Sequence, residues 1–218
     1  MTYSDYARRG FFELVAAACL AGAVVVALET TVARRTRPYL AALLALLALT
    51  AVVLVSAAFR LRLYQDAYGW TELRLYVLMT IGALAVTLVV MAGLAVRGRM
   101  RWLGHGLAVI GVVALVGLNV VAPAAFVAER NLERVIDPSL VPADGHAGLD
   151  AWYLGVLPDD AVPVLVKALP ALPEAERMDV SRLLRDRRLE LATDPAFASP
   201  AAWNLGRERA REALSTLP

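Results

Sequence analysis

FRLRLYQDAYGWTELRLY, residues 59–76, decides how this chain is read. It joins two long apolar runs and gathers three arginines, two carboxylates, three tyrosines and a tryptophan into one short connection. A helix continuing to Tyr68 puts Arg62 and Asp66 four residues apart on one face, and likewise Arg60 with Tyr64 and Tyr64 with Tyr68. Gly69 suits the left-handed residue that ends a helix. Thr71 suits the N-cap of the next helix, with Glu72 in its first turn near the positive end of the dipole. The stretch therefore predicts a tight helix–Gly-Trp–helix hairpin at a membrane surface, carrying an ionic and aromatic cluster. Its candidate residues are Arg60, Arg62, Tyr64, Asp66, Tyr68, Gly69, Thr71, Glu72 and Arg74. Arg62 is expected to pair with Asp66, and Arg74 to reach the same carboxylate or the edge of Tyr64 and Tyr68. A plainer reading makes the same residues an interfacial anchor for two spans.

Outward from the hairpin, the apolar runs are long enough to cross hydrocarbon. The fold class expected is an all-α integral membrane protein with four transmembrane helices and a small helical extramembrane tail. The spans are placed at about 11–32, 39–58, 73–96 and 102–125 within a membrane domain of residues 1–125; residues 126–218 form the tail. In the first span, Ala17 and Ala21, and Ala18 and Gly22, stand four apart and permit close helix approach. Glu29 near its end is expected to sit at the interface, paired with Arg34 or Arg35. Gly104, Gly106, Gly111 and Gly117 thin the fourth span. Asn119 is the candidate intramembrane polar residue, and Pro123 four residues on is expected to free its carbonyl. The tail reads as short helices: Asp150 caps one carrying Trp152, Tyr153 and Leu157, and Asp159 or Asp160 caps the next, with Pro163 in its first turn. Pro173 and Ser199-Pro200 start two more. The first of these buries Val180, Leu183, Leu184 and Leu191 and turns Arg182, Arg185 and Arg188 outward, and the second carries Trp203, Leu205, Ala210 and Leu214.

Three blocks resemble one family. Arg60, Leu63, Tyr64, Ala67, Tyr68, Gly69, Thr71 and Arg74 follow the pattern Arg-x-x-Leu-Tyr-x-x-Ala-Tyr-Gly-Leu-Thr-x-x-Arg, with Trp70 where leucine is usual. Tyr3, Ser4, Tyr6, Ala7, Arg8, Gly10, Phe11, Phe12 and Leu14 match a second block, and the stretch from Leu149 through Asp150, Tyr153 and Leu154 to Pro163 matches a third. On these blocks the chain resembles the C-terminal half of the uncharacterised bacterial polytopic membrane proteins of the DUF4153/DUF4173 type. Relatives read Asn-Pro-Asp and then Arg-Tyr-Asn at the last membrane exit. Here the residues are Ala122, Pro123, Ala124 and then Glu129, Arg130, Asn131, so the acidic position is lost. The resemblance implies a multi-pass protein of the bacterial plasma membrane and carries no activity with it.

Composition agrees with a two-part chain. It is 59% apolar, well above a soluble mixture. Residues 1–125 carry 11 Arg/Lys against 5 Asp/Glu, net +6, and residues 126–218 carry 11 against 15, net −4. The single cysteine, Cys19, forms no intramolecular disulfide. His105 and His146 have no second ligand near them in sequence, and no strand–helix phosphate loop or catalytic signature occurs. No cofactor, metal or nucleic-acid partner is expected; the expected partners are the bilayer and another membrane chain or a second copy. Three function classes follow. The first is a non-catalytic subunit or scaffold whose tail engages a partner. The second is a transporter element. The third is an enzyme or lipid-handling protein using Asp66 or Glu72 as base and Arg60, Arg62 and Arg74 to hold a phosphate.

Overall fold

The computed structural model of the chain describes residues 3–31, 36–146, 148–195 and 203–217, with side chains from Ala16 onward except that of Thr30. Its helices are α1 (Tyr3–Thr31), α2 (Arg37–Tyr68), α3 (Glu72–Val96), α4 (Leu103–Val121), α5 (Pro123–Ile136), α6 (Ala151–Val156), α7 (Val162–Ala168), α8 (Glu174–Thr193) and α9 (Leu205–Ser215). No strand occurs among the described residues. Three segments are long and apolar enough to cross a membrane: Arg37–Tyr68, Glu72–Val96 and Met100–Val121. The apolar part of α1 that falls among the described side chains, Ala16–Glu29, is shorter. This is an all-helical membrane protein. At 1.5 Å per residue α2 is about 48 Å long, against about 30 Å of hydrocarbon. Roughly three of its turns are therefore free to carry polar and aromatic residues beyond the lipid.

Contacts divide the chain into two compact units that do not follow the sequence boundary at 125. One comprises residues 1–62 and 76–117, the other residues 63–75 and 118–218. The first unit has a core of Ala18 and Val25 from α1, Leu43, Leu47, Leu54 and Ala57 from α2, and Ile81, Leu88, Met91 and Ala95 from α3. In α2 these residues, with Thr50 between Leu47 and Leu54, recur at three- and four-residue steps, the spacing of one helix face. Thr50 lies on that face and returns its hydroxyl to Leu46 O at 2.8 Å, which removes the cost of its burial. Glu29 accepts a hydrogen bond from Tyr39 Oη at 3.0 Å; Arg34 and Arg35, the expected partners, lie outside the described residues. So do the side chains of the N-terminal block, residues 3–14. α4 buries no side chain. Gly106 lets it approach α3, since a Cβ there would come within 3.1 Å of Val90 Cγ1.

The second unit is built on α5, whose buried residues Ala124, Val127, Ala128, Asn131, Leu132 and Val135 form one stripe. It packs on α7 and on a 3-10 turn, Asp159–Ala161, against which α9 also packs; α8 packs on α6, α7 and α9.

Several sequence expectations change here. The fourth apolar helix stops at Val121 instead of reaching residue 125, because Ala122 adopts φ 47° and Pro123 opens α5 as its first residue. A proline at that position replaces an N–H that has no intrahelical partner, so Pro123 starts a helix. Neither Asp159 nor Asp160 caps α7. Asp159 accepts instead from two arginines, Arg187 Nη2 at 2.7 Å and Arg207 Nε at 3.1 Å. α9 is capped by Asn204, which accepts from Gly206 N at 2.7 Å. Its buried face is Gly206, Ala210 and Leu214, at four-residue steps, and Trp203 and Leu205 are left exposed. The expected start at Ser199-Pro200 lies outside the described residues.

Candidate functional site

The hairpin and the tail form one unit, and the geometry of the candidate cluster is an account of where the hairpin's backbone groups go. The end of a helix leaves carbonyls without partners and the start of the next leaves N–H groups. Residues 69–71 alone separate α2 from α3. Gly69 closes α2 with φ 84°, and its N–H returns to Gln65 O at 2.8 Å. A side chain at Gly69 would be strained by that φ. It would also collide with α5, since a Cβ would lie 2.7 Å from Arg134 Nη1 and 2.9 Å from Asn131 Oδ1.

Side chains from α5 and α6 then take up the exposed backbone. Asn131 Oδ1 accepts from Trp70 N–H at 2.8 Å, and Asn131 Nδ2 donates to Trp70 O at 2.9 Å. Arg134 Nη2 lies 3.0, 3.1 and 3.0 Å from the carbonyl oxygens of Asp66, Ala67 and His146. His146 N–H donates to Ala67 O at 2.8 Å, which ties the loop after α5 to the same helix end. Tyr153 Oη accepts from Glu72 N–H at 2.8 Å, covering a free donor at the start of α3. Tyr153 is itself placed by Asp150, whose carboxylate caps α6 through Tyr153 N–H at 2.8 Å. The indole of Trp70, 6% exposed, meets the Phe126 ring edge-on, centroids 5.3 Å apart at 79°, an arrangement aromatic quadrupoles favour.

The hairpin's own residues complete the turn. Arg74 Nη1 donates to Gly69 O at 2.6 Å, and its guanidinium lies over the Tyr64 ring at 4.5 Å. Tyr64 and Tyr68 have ring centroids 4.8 Å apart. Thr71 Oγ1 accepts from Arg74 N–H at 3.3 Å, an N-cap bond, and Glu72 stands in the first turn of α3. Burial lowers the pKa of the Arg134 guanidinium from its ordinary value; the nearby Asp66 opposes that shift and Arg74 adds to it. Asp66 is half-buried, whereas Arg60 and Arg62 are exposed on the last turns of α2. Asn119, near the end of α4, is exposed.

Asn131, Arg134 and Tyr153 were not among the sequence candidates, although Asn131 and Tyr153 stand in the resemblance blocks. Gln65 is a fourth such residue. It extends the buried face of α2, after Leu54, Ala57 and Leu61, by one more step, and it is fully buried. Neither its Oε1 nor its Nε2 finds a hydrogen-bond partner, and Arg134 Nε is in the same state.

Residues 1–168 match the model of a domain of unknown function, DUF4153. The match takes in the hairpin, α5 and α6, so every residue of the backbone clamp falls inside it. No curated protein and no solved structure matches the chain. Since the family model covers more than half of the sequence, this chain belongs to the DUF4153 family.

Proposed function

We propose that the protein is a non-catalytic subunit or scaffold of a membrane assembly. In this reading it crosses the bacterial plasma membrane with four helices, α1 to α4, and presents its helical tail to a partner. The observation that carries it is the engagement of Asn131, Arg134, Tyr153 and Arg74 with the hairpin backbone. A set of polar side chains bonded to main-chain groups fixes a shape, and a fixed shape is what a docking platform requires. The two basic turns, with Arg34, Arg35 and Arg37 in one and Arg97, Arg99 and Arg101 in the other, are assigned to the cytoplasm, which puts the tail outside. Gentle extraction followed by native mass spectrometry tests the reading. A second protein chain or a second copy at fixed stoichiometry is the expected result. A lone monomer would overturn it.

A second reading rests on Arg60 and Arg62, exposed at the end of α2 beside exposed Phe59 and Leu63. Exposed arginines with apolar neighbours suit a lipid phosphate. A phospholipid that co-purifies with the chain and is lost in Arg60→Ala/Arg62→Ala would favour this lipid-handling role.

A further inference from the structure

Helix α6 turns its largest side chain out of the tail. Trp152 is 77% and Val156 58% exposed, and they stand four residues apart on one helix face. The buried Leu154 and Leu157 lie on the opposite side. At about 100° per residue, Tyr153 and Gly155 border the exposed face. Tyr153 reaches the start of α3, where its Oη accepts from Glu72 N–H at 2.8 Å. Gly155 meets α8, since a Cβ there would lie 3.5 Å from Leu183 Cδ1. The face between them carries no charge: α6 reads AWYLGV, and the carboxylate before it, Asp150, is engaged with Tyr153 N–H. The exposed apolar residues of α8 differ, because Met178 and Leu189 each stand between two charged neighbours in sequence.

We infer that Trp152 and Val156 sit in the headgroup layer of the membrane that the chain crosses, as an interfacial anchor for the tail. What points to lipid is the place of α6. Glu72 opens the apolar segment Glu72–Val96, so the Tyr153 bond fixes α6 within one side-chain length of a membrane exit. The headgroup layer extends about 5–7 Å beyond the hydrocarbon, a depth comparable with the length of a tryptophan side chain. Tryptophan, with a broad apolar body and one N–H, is enriched at that level. Leu73, in the first turn of α3, is 61% exposed as well, as a lipid-facing residue at the same exit should be. The anchor goes beyond the subunit reading and does not depend on it.

The test uses the full chain in nanodiscs of phosphatidylcholine and phosphatidylglycerol, in a Cys19→Ser background. A nitroxide at Val156→Cys, with Trp152 kept, reports its surroundings through collisions with oxygen, which concentrates in lipid, and with a nickel chelate, which stays in water. Oxygen should be the more effective at Val156, and the chelate at a reference label on the exposed Asp186→Cys. Trp152→Ser should shift the Val156 label toward the Asp186 pattern. Circular dichroism and melting temperature show whether that variant folds, and the label with Trp152 in place stands without it. A Val156 label that favours the chelate faces water, and one shielded from both reagents is covered by protein. Either result overturns the lipid anchor, as does a folded Trp152→Ser whose label does not shift. Protein cover would support the subunit reading, and none of these results contradicts it.

Discussion

The Asn131 side chain and the Trp70 backbone pair as two peptide groups pair in a sheet, with one bond in each direction at 2.8 and 2.9 Å. Both residues are buried, at 9% and 6% exposure. Asn131→Ala leaves a buried N–H and a buried C=O without partners, which costs about 2–4 kcal/mol. Asn131→Asp keeps the acceptor but sets a carboxylate oxygen against Trp70 O in a buried site, so it should be no more stable than alanine. Chemical unfolding in detergent checks the order; an alanine variant within about 1 kcal/mol of wild type would contradict it.

Gln65 has the opposite sign. Its amide is buried with neither end bonded, whereas Thr50 on the same face of α2 bonds Leu46 O. Removing an unsatisfied buried polar group recovers its desolvation cost, about 1–3 kcal/mol. Gln65→Leu, close in volume, should therefore raise the melting temperature. A fall would mean that the amide is satisfied, for example by an internal water.

Much of the hairpin could be read locally. Gly69, Thr71 and Glu72 take their roles from neighbours within five residues, and the four-residue spacing of Tyr64 and Tyr68 brings their rings together. What holds the hairpin could not be read that way. Asn131, Tyr153 and Arg134 lie 61, 81 and 68 residues from the groups they bind, and spacing rules do not reach across such distances. The Asp159-Asp160 pair failed for the same reason. Local chemistry offers a helix cap, and the cations that claim Asp159 come from α8 and α9, 28 and 48 residues away. Gln65 was within reach, because the step from Leu61 along the buried face of α2 lands on it.

Asp159 is the ionic joint of the tail. Its side chain is 10% exposed, between Arg187 at 23% and Arg207 at 17%. Burial lowers the Arg187 pKa, but hydrogen bonds and charge from Glu190 and Asp159 outweigh it, so the net shift is upward. Asp159→Ala removes the carboxylate that Arg187 and Arg207 share, leaves Arg187 with Glu190, and should cost about 2 kcal/mol. Because Arg207 lies on α9 and Arg187 on α8, the loss should appear first as proteolytic cleavage around α9. Unchanged protease resistance would show that the joint adds little.

Gly69→Ala should be more damaging than a glycine change at an open position. A methyl group there meets Arg134 Nη1 and Asn131 Oδ1 as well as an unfavourable φ. Gly104→Ala has nothing within 4 Å of the new carbon and serves as the control. The difference in stability should be at least about 2 kcal/mol. Equal melting temperatures would contradict the close approach of α5 to the hairpin.

α5 holds the hairpin by its backbone, and amide hydrogen exchange across residues 66–75 reads those groups directly. In the intact chain the N–H groups of Trp70 and Glu72, bonded to Asn131 and Tyr153, should be protected. In Asn131→Ala the Trp70 amide should exchange at least about tenfold faster, with the mid-membrane amides of α2 and α3 unchanged. In Tyr153→Phe the Glu72 amide should do the same. If both amides exchange at the wild-type rate in these variants, or if the wild type shows no protection across the turn, the clamp does not exist in solution.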